Sequence, residues 1–146
     1  MKDPENKLRT YALFKTDIGF EKYLYEVKNI EARQALTKLR LSNHTLNIER
    51  GRYTVPITPK EQRFCPFCPD KVEDEIHFLL SCPVYRLPRH EMINAMTLSK
   101  TSFRTDSLNE QFIELMKNEN AFIVSKTTQN LFEIRQFLLS NPRRPN

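Results

Sequence analysis

The chain has 146 residues, 39% of them hydrophobic and 10% aromatic, enough apolar content for a single packed core and too much for a disordered tail. Glycine is scarce (2) while proline is not (9), a balance that argues against a hairpin-rich β fold and for helices separated by proline-marked joints. No apolar run approaches the roughly 20 residues of a membrane span, and the stretch MKDPENKLRT has no apolar signal core, so an intracellular protein, nuclear or cytoplasmic, is expected.

The net charge of +5 is localised. Residues 1–32 and 64–146 are each neutral. In residues 33–63, Arg33, Lys38, Arg40, Arg50, Arg52, Lys60 and Arg63 face only Glu49 and Glu61. A concentrated basic stretch favours an anionic partner, although a solvated helix face would have the same composition.

In chain order, Asp17 can cap a first amphipathic helix with Phe20, Leu24 and Val27 on one face. Asn29 can cap a second, with Ala32, Ala35, Leu36 and Leu39 aligned, ending near Ser42 and Asn43. These stripes read as core. Residues 44–64 lose the helical period: Leu46, Ile48 and Arg50 alternate weakly with Asn47, Glu49 and Gly51, and Pro56 and Pro59 exclude a continuous helix. A short extended connector carrying basic residues is expected there.

Next comes CPFCPDKVEDEIHFLLSCP, which holds all three cysteines in the pattern Cys65-x2-Cys68-x8-His77-x4-Cys82. Three thiolates and one imidazole form a complete tetrahedral set for one structural Zn2+. Pro66 and Pro69 suit the tight turn that aims both sulfurs of a Cys-x2-Cys pair at one ion. Glu73, Asp74 and Glu75 suit the first turn of a following helix, with Ile76, Phe78, Leu79 and Leu80 as its apolar surface. On a continuous α-helix His77 and Cys82 would be about 500° apart, roughly 140° off a common face. Pro83 offers the remedy, because it pushes Cys82 out of the helical region and can itself open the next helix, carrying Val84, Tyr85 and Leu87. The net negative charge of such a site could be offset by Arg63 and Lys71.

Rival readings explain less. A redox Cys-x2-Cys needs a strand-to-helix turn that no strand pattern supplies, and it leaves His77 and Cys82 without a role. Disulfides fit poorly with an odd cysteine count and no secretory signal. His44 and His90 read as exposed surface residues, with His90 open as an alternative fourth ligand. Beyond the cluster, Ser107 and Glu110 form a capping box before Leu108, Phe112, Leu115 and Met116. A last helix from about residue 121 carries Thr127, Leu131, Ile134 and Leu138 on one face, before a tail from Asn141 to Asn146.

The whole therefore reads as a mainly α, small helical domain with a Cys-Cys-His-Cys zinc knuckle. Residues 1–64 form the helical segment and basic connector, 65–83 the zinc motif and 84–146 the C-terminal helices, in one compact unit. With four protein ligands the metal has no open position. The chain also lacks a glycine-rich phosphate loop, an HExxH pair and a serine nucleophile elbow, so no enzymatic activity is expected of it.

The Cys-x2-Cys, the Glu-Asp-x-x-His with its apolar triplet, and the Cys-Pro followed by an aromatic resemble the zinc-binding domain downstream of the reverse transcriptase in non-LTR retrotransposons. RTYALFKTDIGFEKYL and EARQALTKLRLSNHTLNIERGRY resemble the segment preceding that site in jockey-type mobile elements. The likeness spans roughly residues 9 to 90. It implies Cys65, Cys68, His77 and Cys82 as zinc ligands, in a module that holds element RNA or target DNA alongside the rest of a retroelement polyprotein. The chain departs from the parent element in having no polymerase or endonuclease motif and no Tyr-x-Asp-Asp pair, as a fragment or a retained remnant would. On this reading Arg40, Arg50, Arg52, Lys60 and Arg63 contact phosphates while Tyr53 or Phe67 stacks on bases. A different class of function, a zinc-stabilised protein-interaction domain whose basic residues pair with acidic neighbours, fits the same composition.

Overall fold

A computed structural model describes residue 8, residues 10–15 and residues 19–142. The architecture is mainly α. Its helices are α1 (Tyr11–Phe14), α2 (Tyr23–Glu26), α3 (Ile30–Arg40), α4 (Asn47–Arg50), α5 (His90–Ser99), α6 (Leu108–Leu115) and α7 (Ala121–Ser140), with one two-stranded antiparallel hairpin, β1 (Phe64–Cys65) and β2 (Cys68–Val72).

The longer helices follow their local signals. The Asn29 side chain accepts from the Ala32 amide at 3.0 Å and starts α3, whose Ala32, Leu36 and Leu39 are buried. Ser42 stops it at φ 53°, in the left-handed region. Asn43 N then donates to Lys38 O and Ser42 N to Leu39 O, the paired bonds of a Schellman stop. A serine there costs backbone strain, and its hydroxyl is tied down by Glu75 at 3.1 Å and Thr10 at 3.2 Å. Ser107 and Glu110 form both bonds of the capping box that opens α6, and Phe112 and Leu115 turn inward.

Helix α7 is the spine. It packs along α3 and also touches α2 and α5, burying Val124, Thr127, Thr128 and Leu131. Ile134 is partly buried against the core, and Leu138 is half-buried. The buried residues from Tyr23 through Phe78 and Tyr85 to Leu131 make one core, so the hairpin and the helices on either side of it share an interior.

Four expectations need correction. The cap assigned to Asp17 lies outside the described residues, and among the described residues 19–28 only α2 is helical, with Tyr23 and Val27 buried and Phe20 exposed. Residues 44–64 are not simply extended: α4 continues into a 3-10 turn at Gly51–Tyr53, and a second such turn covers Lys60–Gln62. The start of α4 is held from a distance, by Glu73, whose Oε1 accepts from Asn47 N (2.7 Å) and whose carbonyl accepts from Ile48 N (3.0 Å). No local pattern carries that information. Third, Pro83 opens only a 3-10 turn, Pro83–Tyr85; α5 begins at His90 and Leu87 is exposed. Fourth, His44 is interior, its side chain 1% exposed and Nε2 at 2.8 Å from Glu75 Oε1.

Candidate metal centre

The hairpin places the first two cysteines. Cys65 lies opposite Cys68 in the β1–β2 register, across the turn at Pro66 and Phe67, and both side chains are buried. Asp74 accepts from the His77 amide at 2.8 Å and caps the following helix. Glu73 and Glu75 do not serve that start; they are buried and turned to other partners.

The offset between His77 and Cys82 is closed by a device the sequence reading lacked. Residues His77–Ser81 form a π-helix, and Cys82 N donates to His77 O at 2.7 Å, an i to i+5 bond. Widening the turn by one residue stacks residue 82 over residue 77, as an α-turn would stack residue 81. Cys82 itself is extended, at φ −60° and ψ 122°, as a residue before proline should be. Pro83 ends the helix, and the π-turn aligns the ligands.

One ligand atom from each of Cys65, Cys68, His77 and Cys82 lies within 4.8 Å of the other three, and all four residues are buried. The geometry can be tested against a metal. At metal–sulfur bonds of about 2.3 Å, a tetrahedral centre separates its sulfurs by about 3.8 Å. The observed Cys68–Cys82 and Cys65–Cys82 Sγ separations are 3.8 and 3.9 Å. His77 Nε2 is buried without a hydrogen-bond partner, which would be costly for an imidazole with no metal to bind. The Cys82 contact and burial push the Cys65 thiol up to about 12, and burial raises Cys68. The bond from Cys65 lowers Cys82. The donor set and its spacing fit a metal ion held by all four side chains.

The surroundings form a closed wall. Tyr85 is fully buried, edge-on to Phe78 (5.2 Å between centroids) and to Phe67 (6.2 Å). Arg89 Nη2 donates to the carbonyls of Cys82 (2.7 Å) and Phe78 (3.1 Å). His90 is exposed, contacts Asn94 and does not belong to the cluster. The proposed counter-charges lie elsewhere: Lys71 is exposed on β2, and Arg63 donates to Ile48 O and Thr58 O, each at 2.9 Å.

The residues expected to meet phosphates and bases separate into two groups. Arg40 and Arg63 are buried. Arg40 donates to Met116 O at 2.6 Å, pairs with Glu21 at 3.2 Å and lies over the Phe14 and Tyr23 rings, so it offers nothing to a phosphate. Arg63 is equally committed, stretched across Gly51, where an added Cβ would meet its Cγ and Cδ at 2.6 Å. Arg50 and Tyr53 are exposed, the latter by 72%, and Lys60 is half-exposed. Arg52 is half-buried and pairs with Glu49 at 3.0 Å. Phe67 is half-buried against Tyr85, leaving Tyr53 as the open aromatic of the pair.

Sequence reasoning missed the ion pair behind the site. Arg135 of α7 donates from Nε and Nη2 to both oxygens of Glu73, at 2.9 and 2.8 Å, with both residues buried. The only signal was a lone arginine on the apolar side of a helix, 62 residues from its partner. Among the described residues, no helix is long and apolar enough to cross a membrane. Compared with protein-family models, curated proteins and solved structures, the chain matches none.

Proposed function

We propose that the chain is a zinc-stabilised nucleic-acid-binding module of the kind that follows the reverse transcriptase in non-LTR retrotransposons, without catalysis of its own. Zinc is the metal that best suits three thiolates and an imidazole in a closed tetrahedral set, and when bound it supplies a structural crosslink. The observation that carries the nucleic-acid reading is the coupling of the basic surface to the metal hairpin. Asn47 Nδ2 donates to Phe64 O at 2.6 Å, and Arg63, two residues before Cys65, ties α4 through Ile48 O. The same segment is pinned by Thr58 N to Gly51 O at 3.0 Å and by the Thr54–Thr58 hydroxyl contact at 2.7 Å. It presents Arg50, Tyr53 and Lys60 outward. Arg50 and the exposed Tyr53 ring line one depression with His44 and Thr45, and a cation beside an exposed aromatic ring is the chemistry of a single-strand contact.

Two phosphate contacts on a single strand, from Arg50 and Lys60, correspond to a slope of about −1.4 in log K against log salt. Binding of the full, metal-loaded chain to RNA and to single-stranded DNA should show that slope. Arg50→Glu should flatten it, and Tyr53→Ala should weaken binding by about 1–3 kcal/mol with the slope kept. A flat slope in the wild type, or no binding below about 100 mM salt, contradicts the nucleic-acid reading. A protein-interaction role has one observation in its favour: Val55 and Ile57 on the same loop are 99% and 66% exposed. Salt-insensitive binding lost in Val55→Ser would support that alternative.

A further inference from the structure

Among the described residues four arginines are buried, and their partners differ. Arg40 faces the Glu21 carboxylate and Arg135 the Glu73 carboxylate. Arg63 is satisfied by two carbonyls, Ile48 O and Thr58 O. Arg89, 6% exposed, has no carboxylate among the described residues; both of its bonds leave from Nη2, and Nε is buried with no partner. A buried cation without an anion is expensive. The guanidinium rests on the carbonyl of Cys82, itself a member of the Cys3His cluster.

Three thiolates and a neutral imidazole around a divalent ion leave one net negative charge, which an unpaired cation nearby would offset. The two carbonyls that Arg89 holds belong to Phe78, inside the π-helix, and to Cys82, the residue the π-turn delivers. The two N–H groups of Nη2, one on each carbonyl, fix the turn that brings Cys82 over His77. We propose that Arg89 is a positioning residue for the metal centre, which locks the π-turn in its ligating form and supplies the buried positive charge that a three-thiolate site lacks. This rests on the reading that the cluster binds a metal.

The test uses the full chain under reducing conditions, stripped of metal and titrated with Co2+, in the wild type, Arg89→Lys and Arg89→Met. The wild type should bind one Co2+ with the strong ligand-field bands of a tetrahedral site and sulfur-to-cobalt charge transfer. R89M should bind roughly 10- to 100-fold more weakly, the range seen when an outer-shell partner of a ligand is lost, with an altered ligand-field spectrum. R89K keeps the charge but loses the planar group whose Nη2 reaches both carbonyls, so it should fall between the two. Wild-type affinity and spectrum in R89M would overturn the proposal while leaving the metal site intact. No cobalt binding by the wild type would overturn both. Should R89M not fold, transfer of metal from R89K to a chelator decides the matter: faster release than wild type supports the role, and an unchanged rate overturns it.

Discussion

At the residue scale the account depends on a few buried polar groups whose partners lie far away in sequence. The four ligands were legible because their chemistry is compact: three cysteines and a histidine in nineteen residues leave few alternatives. Glu73 shows what was not legible. It reads as an acid in a helix's first turn, yet its carboxylate receives Arg135 and the Asn47 amide, and so joins the hairpin, α4 and α7 at one point. Nothing within ten residues of Glu73 indicates that. Arg135→Met leaves a buried carboxylate short of its cation, and we expect it to lower stability by about 3–5 kcal/mol. Chemical denaturation of the metal-loaded chain reads this directly, and a loss below about 1 kcal/mol would mean that Glu73 is satisfied without Arg135. His44 illustrates the same limit. A polar residue in a loop reads as exposed until its buried acceptor, Glu75, is placed beside it.

At the element scale, signals that act over one turn were readable and signals that act across the core were not. Asn29 and the Ser107–Glu110 box cap α3 and α6 as their spacing predicts, because a cap is satisfied by amides two or three residues on. The π-turn at His77–Ser81 has no local signature; the awkward five-residue interval between ligands was the only hint, and the metal-binding geometry requires it. The segment from α4 to Lys60 was read as extended because its prolines forbid a long helix, while its two short turns depend on Glu73 and Arg63. Gly51 is where this dependence can be tested. Its φ is an ordinary −63°, but the Arg63 side chain fills the space where a Cβ would stand, and Arg63 cannot swing away without losing Ile48 O and Thr58 O. Gly51→Ala should therefore cost about 1–3 kcal/mol, as overpacking of an interior contact does. An unchanged thermal midpoint in that variant would show that Arg63 is free to move.

At the scale of the whole molecule, the mainly α class was legible from composition and periodicity, and the single core that spans all three sequence segments follows from α7 packing against α3, α2 and α5. Helix α7 reaches the metal region through Arg135, so removal of the ion is expected to loosen the hairpin and α4 together rather than a detached knuckle. The proposed nucleic-acid surface would lose its geometry with them, since Arg50 and Tyr53 sit on the segment that the hairpin holds. Cys65, Cys68, His77 and Cys82 are proposed to bind one structural zinc. X-ray absorption at the zinc edge, on the purified full chain with its metal content measured, tests it most directly. The account predicts one zinc per chain, with three sulfurs at about 2.3 Å and one nitrogen at about 2.0–2.1 Å. Zinc well below one per chain with folding unchanged by a chelator, or a shell of oxygen and nitrogen alone, would contradict it.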